Sequence, residues 1–425
     1  MNPRARYSLV SFLTWLPAGL TTAPMVLLMA ERGLSVAEIG VVWTVYSVVT
    51  IALELPTGGL SDVVGRRRVL AASAAVTVVA MVLVALSTSM WMFVLASALK
   101  GVARALSSGP AQAWYVDTVH ALDGPDADLR PGLAAGGAMG SVALCVGVLA
   151  GGVLPLAVPE SLIEPLAAPP LLAALAAAVL LGVVLAALPE PPHVVARSFG
   201  EVLREVPRTV RSGVRLVAAS LLLRRIMLYT VVFGMALTTI ELLTPLRLAD
   251  LAGTAELGAT AYALVAALGF AGSAAGSALA PALARLLRGN AGAMVTGVVA
   301  GALSLYALAA TTGLDGPAGL AAAAAAYVLM FAGLGAVDLL GQALTHGEVT
   351  AQERATVTSV TSLSLQGGGV LANMAAGALA TAYGVAVPWT VVAGLTLLSA
   401  LLFVRLPVRR PETRPHGTLA QNKVL

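Results

Sequence analysis

Residues 58–68 read Gly58-Gly59-Leu60-Ser61-Asp62-Val63-Val64-Gly65-Arg66-Arg67-Arg68. They are a short polar reversal between two apolar runs, 36–57 and 69–88. Each run has about the 20 residues that a membrane-spanning helix needs. Gly58 and Gly59 let backbones approach closely at a helix end. Asp62 places a negative charge just past the apolar run, and Gly65 permits the tight turn that reverses the chain. Three arginines then open the next run. They can pair with Asp62 or with acids elsewhere and latch helices in one conformation, or they can simply hold this turn on one side of a membrane.

Working outward, the same alternation of apolar runs and polar breaks fills the chain. Runs of spanning length lie near 8–29, 36–57, 69–88, 91–115, 132–155, 168–188, 226–246, 257–283, 291–312, 318–342, 356–381 and 385–404. The composition agrees. Of 425 residues 58% are hydrophobic and 11% charged, and mean hydropathy is +0.90. Forty-six charges are too few to coat a soluble domain of this size. The net charge of +4 gives no ground for nucleic-acid binding. The single cysteine, Cys145, excludes an internal disulfide framework.

Charge sorting fixes an expected orientation. With the N-terminus in the cytoplasm, 21 of the 25 basic residues fall in inside segments. Only Arg32 and Arg247 fall outside, and Lys100 and Arg104 fall within spans. This bias matches the positive-inside rule and predicts that both termini are cytoplasmic. The longest polar interval, 189–225, divides the spans six and six. The expectation is therefore an all-α membrane protein with twelve transmembrane helices in two six-helix halves. The N-terminal half is 1–188, the linker 189–225, the C-terminal half 226–406, and a cytoplasmic tail follows over 407–425. In the linker, Arg204, Arg208, Arg211 and Arg215 recur at helical spacing opposite Val202, Val206, Val210, Val214 and Val217. This predicts either a basic amphipathic helix on the membrane surface, broken at Pro207, or a plain tether.

The stretch from Gly58 to Arg67 resembles the cytoplasmic loop motif of the major facilitator superfamily, Gly-x-Leu-x-Asp-x-x-Gly-Arg-Arg/Lys. Gly58 or Gly59, Leu60, Asp62, Gly65, Arg66 and Arg67 carry the match. With twelve spans and a central linker, the resemblance covers the chain and implies the fold of that family. It also implies a gating role for Gly58, Gly59, Asp62, Gly65, Arg66 and Arg67. Glu54-Leu55-Pro56-Thr57-Gly58, Gly101 to Gly109 and Ala113 to Asp117 resemble bacterial drug/proton antiporter-like members. Gly147, Gly151 and Gly152 match the glycines of the family's span-five antiporter motif, but Val148 stands in place of its proline. Those glycines serve equally well for close helix packing.

Five ionisable residues fall well inside spans: Glu54, Lys100, Arg104, Glu241 and Asp338. Charges there are costly and point to function. Glu54 can instead pair with loop arginines. Lys100 and Arg104 are four apart and share a helix face. Glu241 or Asp338, in a partly desolvated site, can load and release a proton near neutral pH. Trp15, Tyr46, Gln112, Trp114, Gln342 and Asn373 are candidates to line a central cavity, as are Trp43, Tyr229 and Gln366. Trp91 and Trp389 read as interfacial belt residues.

The four histidines are scattered, and no zinc spacing or phosphate loop occurs. The expectation contains no catalytic residue, no metal and no cofactor, with a proton gradient as energy source. The partners expected are a small-molecule substrate, protons and the lipid bilayer of a bacterial inner membrane, with the chain working as a monomer. The resulting reading is a secondary transporter that exports amphipathic, drug-like molecules against protons. Its alternative is proton symport or uniport of a nutrient or metabolite into the cell.

Overall fold

A computed structural model describes residues 2–189, 199–350 and 353–406. The expected tail 407–425 lies outside the described residues. Every described element is helical. The N-terminal set is α1 (Pro3–Thr22), α2 (Pro24–Glu31), α3 (Val36–Val64), α4 (Arg66–Leu86), α5 (Met90–Ser107), α6 (Pro110–Asp123), α7 (Arg130–Ala157) and α8 (Ala168–Ala187). Then come α9 (Phe199–Ala219) and the C-terminal set: α10 (Leu221–Ala252), α11 (Ala255–Leu286), α12 (Asn290–Ala310), α13 (Gly316–Glu348), α14 (Arg354–Tyr383) and α15 (Ala386–Ser399).

Local sequence explains the boundaries. Ser35 and Glu38 form a reciprocal capping box that starts α3. Ser220 and Thr254 cap α10 and α11 through side-chain oxygens. Pro24 starts a new helix after α1, so the first apolar run is bent by 42° at Ala23. Gly109, at φ +97°, and Pro110 divide the fourth run into α5 and α6. Among the described residues, nine helical segments are long and apolar enough to cross a membrane, and ten with the bent α1–α2 pair. The predicted runs near 356–381 and 385–404 are also helical. However, α14 carries many hydroxyl side chains, and α15 with its following turn is short.

Two expectations change. The reversal expected over residues 58–68 is not a loop: α3 continues to Val64, and the chain turns at Gly65 alone, at φ +105°. Only glycine takes that conformation without strain. The helix expected to break at Pro207 runs through it. Pro207 is exposed, so water can take the one backbone bond that proline leaves open. The α9 helix docks through Gly213, where a Cβ would lie 2.6 Å from Val360 Cγ2 of α14. Val210 and Val214 of the predicted apolar stripe are exposed.

Packing differs at the two ends of the bundle. At the end opposite α9, here the far end, one continuous core draws Met29, Ile39 and Phe93 from the first set and Ile240, Tyr262 and Trp389 from the second. At the α9 end there are two cores. Tyr7, Leu70 and Trp114 belong to one, and Leu223, Met294 and Phe403 to the other. The cores of the two sets are joined at one end and separate at the other, where α9 touches both α3 and α14. Trp389 thus belongs to the shared core and is fully buried, while Trp91 remains 76% exposed.

The far-end contacts are made by small residues. A Cβ on Gly40 would collide with the carbonyl oxygen of Asn373, and one on Gly377 would lie 2.8 Å from that of Val36. A Cβ on Gly152 would collide with Ala263 and lie 2.7 Å from the Ala259 carbonyl oxygen. The Thr260 hydroxyl donates to the Gly152 carbonyl at 2.8 Å across the same crossing.

Candidate functional site

Between the two sets lies a cavity of about 530 Å³. Its lining runs from Met25, Trp43 and Asn373 toward Leu13 and Ser108. It therefore extends from beneath the shared core toward the gap between the two separate ones. Four charged side chains face it: Glu54 on α3, Lys100 and Arg104 on α5, and Glu241 on α10.

The two cations are held by aromatic and sulfur groups. The Arg104 guanidinium sits 4.4 Å from the centre of the Trp15 ring. Lys100 Nζ lies 5.7 Å from the Tyr46 ring centre and 2.8 Å from Met25 Sδ. Neither forms an ion pair among the described residues. Cation–π contact of this kind contributes on the order of 0.5–2 kcal/mol, so it relieves only part of the burden of a desolvated charge. Glu54 accepts a hydrogen bond of 2.9 Å from Gln366 Nε2, on α14 of the other set. The loop arginines are thus not its described partners. Glu241 faces the cavity within electrostatic reach of Tyr46, Tyr262 and Tyr327.

The remaining expected site residues separate cleanly. Trp15, Tyr46 and Asn373 line the cavity, as do Trp43 and Gln366. Gln112, Trp114, Gln342 and Tyr229 do not. Trp114 is 1% exposed in the α9-end core, where its indole N–H donates to the Pro189 carbonyl at 2.8 Å. Packing at the root of the linker claims it. Gln112 points outward one turn from the Gly109–Pro110 break. Gln342 donates to Asp338 at 2.8 Å, and both lie on an exposed stretch of α13 away from the cavity. Tyr229 stacks on Phe233 and meets Phe403 edge-on in the C-terminal core.

The residues of the 58–67 motif lie toward the α9 end, outside the cavity lining. Arg66 Nε makes an ion pair of 3.2 Å with Asp117 of α6, and its Nη1 donates to Ser61 Oγ at 2.6 Å. Arg67 donates to the Leu185 carbonyl of α8. The Asp62 side chain lies outside the described residues; Gly58 and Gly59 are in the last turns of α3. The segments containing Arg66 and Asp117, far apart in sequence, therefore meet in space. Gly147 and Gly151 admit the backbone of α1 at Gly19 and Leu20, while Gly152 admits α11. All three have close-packing partners.

The sequence reading missed the hydroxyl lining: Thr21, Thr50, Ser97 and Thr238 face the cavity. No pattern marks them, because a helical Ser or Thr bonds its own backbone on any face. Thr21 and Thr50 do so, to Pro17 and Tyr46. Met25 gave no signal either, since a methionine in an apolar run reads as packing.

Comparison with known proteins bears on this architecture. The family model described as Major Facilitator Superfamily matches residues 7–337. No curated protein matches the sequence significantly. The structure is similar to that of the nucleoside transporter NupG, with a TM-score of 0.75 at 15% identity, covering 95% of this chain and 98% of that one. It is also similar to a POT family transporter in complex with a thioalcohol-conjugated peptide, with a TM-score of 0.67 at 13% identity, covering 94% of each chain. An auto-inhibited POT family peptide transporter matches with a TM-score of 0.67 at 14% identity, covering 97% of this chain and 98% of that one. At such identities the likeness concerns the fold. The matched family model and the apolar helices together establish a multi-pass integral membrane protein, and this chain belongs to the major facilitator superfamily.

Proposed function

We propose that the protein is a proton-coupled secondary transporter that works by alternating access around the central cavity. The observation that carries this reading is the packing contrast: one core shared at the far end, two separate cores at the α9 end, and a charged cavity between them. In this reading twelve spans form two sets of six, and α9 and both termini are cytoplasmic. The cavity here faces the cytoplasm. Rocking of α1–α8 against α10–α15 opens it to the other side.

Glu241 is the proton carrier in this proposal. It stands in the cavity wall, where solute and proton can influence one another, whereas Asp338 lies off the cavity and bonds Gln342. The proton gradient of a bacterial inner membrane supplies the energy, and one chain suffices. Uptake is the first reading of direction, supported by the four charges and the hydroxyls of the lining. They suit a solute with polar or charged groups. Efflux of drug-like compounds is the second, favoured by the aromatic wall of Trp15, Trp43 and Tyr46.

The test uses purified protein in vesicles that enclose a pH-sensitive dye, under an imposed proton gradient. Nucleosides, dipeptides and a fluorescent drug-like dye are supplied in turn. Proton entry with solute entry identifies symport, and proton movement against the solute identifies antiport. Solute flux that moves no proton defeats the coupling.

A further inference from the structure

The cavity charges also indicate the chemistry of the solute; this inference rests on the transport reading above. Lys100 and Arg104 sit one turn apart on α5 and face the same space. Their mutual repulsion and desolvation are offset by the Tyr46 and Trp15 rings and by a thioether, with no described carboxylate between them. The acid that the N-terminal set contributes to the described lining, Glu54, is bonded to Gln366. An adjacent ammonium and guanidinium, both aimed into a cavity, form a receptor for a planar anion. The guanidinium fork matches a carboxylate, and the ammonium adds a point charge. The surrounding wall is aromatic and aliphatic, supplied by Trp15, Trp43, Tyr46, Met81 and Leu237. A wall of that kind accommodates an apolar or aromatic body.

The charge balance then ties solute to proton. With Lys100 and Arg104 positive and Glu54 and Glu241 negative, the four charges cancel. A proton on Glu241 leaves one uncompensated positive charge, and one carboxylate restores neutrality. In a partly desolvated site, proton and anion therefore favour each other's binding, and this coupling is reciprocal. A cationic solute would instead compete with the proton. The groups around Glu241 are consistent with this balance. Tyr46 on α3, Tyr262 on α11 and Tyr327 on α13 lie within its electrostatic reach, and Glu54 on α3, Lys100 and Arg104 on α5, and the amides Gln366 and Asn373 on α14 line the same cavity. The tyrosines and amides carry no charge at neutral pH.

We propose that the cavity binds an organic monocarboxylate with an apolar or aromatic body, its carboxylate held by Lys100 and Arg104, and that it moves together with a proton carried on Glu241.

The test is binding to the full-length purified protein, read by calorimetry and by thermal shift. The probes are benzoate, phenylacetate and indole-3-acetate, each against its neutral amide and its amine counterpart, with inorganic phosphate as a further arm. The expected result is that carboxylates bind, amides and amines do not, and carboxylate affinity rises as pH falls from about 8 to 6 through proton linkage. Lys100→Gln and Arg104→Gln should each weaken carboxylate binding about tenfold or more, as expected for loss of a charge-assisted hydrogen bond. Glu241→Gln, neutral like the protonated side chain, should hold carboxylate affinity at its low-pH level at every pH, while Asp338→Asn, off the cavity, should bind as wild type does and so reports an intact fold. Preference for amines or amides, binding of phosphate alone, no binding by any carboxylate, or carboxylate binding indifferent to both cation substitutions would overturn the proposal. If an amine or a neutral solute is carried with protons in vesicles, transport stands and the anion site falls. If carboxylates bind as described but no solute moves protons, the site stands and the coupling falls.

Discussion

The two helix sets share a device at their far ends and differ in the cavity. In the N-terminal set Arg32, just past α2, reaches the end of α4. It donates to the carbonyls of Val84 at 3.2 Å, Ala85 at 2.7 Å and Ser87, and it pairs with Glu164 at 2.7 Å. In the C-terminal set Arg247, near the end of α10, reaches past the end of α12. It donates to the carbonyls of Thr311 at 2.6 Å and Leu314 at 2.5 Å, and it pairs with Asp250 at 2.6 Å. Each arginine belongs to the first spanning unit of its set and clasps the C-terminal carbonyls of the third. Carbonyls at a helix C-terminus run out of regular helical partners and carry the negative end of the helix dipole; those of Val84 and Thr311 otherwise accept only a turn bond, from the Ser87 and Leu314 N–H groups. Arg32 and Arg247 are also the two basic residues that charge sorting placed outside. The exceptions to the charge bias are thus structural caps, present once in each set. The cavity charges show no such repetition. Glu54, Lys100 and Arg104 come from the first set, and Glu241 alone from the second. What holds the fold recurs in both sets; what faces the solute does not.

This contrast can be broken in order of expected effect. Glu241→Gln should lower proton-driven flux in vesicles by about a hundredfold, as for loss of a proton-transferring group. Asp338→Asn should stay close to wild type in the same assay. An equal loss in both would place the proton pathway along α13. Arg247→Ala and Arg32→Ala should each destabilise the protein by about 1–3 kcal/mol, because carbonyls at the ends of α12 and α4 lose a charged donor, while the exposed acids Asp250 and Glu164 add little. Thermal unfolding in detergent measures this, and flux per folded molecule should survive. Arg247 is the more buried side chain, at 7% against 12% exposed, so its loss should be the larger. A silent result at one position would show that the likeness of the two caps is geometric only. Gly152→Val should cost about 1–3 kcal/mol by overpacking the α7–α11 crossing. It should also raise labelling of a cysteine placed at Thr260 by a membrane-impermeant thiol reagent added from the far side. The smallest effect belongs to Asp117→Asn. Its ion pair with Arg66 is partly exposed, so less than about 1 kcal/mol should be lost. A larger change would give that contact a gating role beyond its electrostatics.

Much of the helical layout was legible because lipid imposes it. Backbone groups in an apolar layer must bond within their own helix, so long apolar runs read directly as helices. The runs near 132–155 and 226–246 reappear within α7 and α10. The reversal was less legible, because Gly58 to Val64 also suits the last two turns of a helix, and only the φ of Gly65 shows where the chain turns. Within the candidate site, Lys100, Arg104, Glu54 and Glu241 stood out as charges among apolar neighbours. Gln112 and Gln342 stood out equally yet face elsewhere.

Sequence alone determined the family, through the motif at 58–67 and the family model that matches residues 7–337; it also determined the membrane setting and which charges are anomalous, since composition and periodicity are one-dimensional properties that the bilayer filters. Tertiary structure alone decided which of those charges share a cavity, that Trp114 and Trp389 are core residues, and that Arg32 and Arg247 are helix caps. Each of those outcomes depends on how helices are rotated about their axes and where they cross. Small side chains such as Gly152 and Ala263 set those crossings, and no local pattern records a partner that lies more than a hundred residues away.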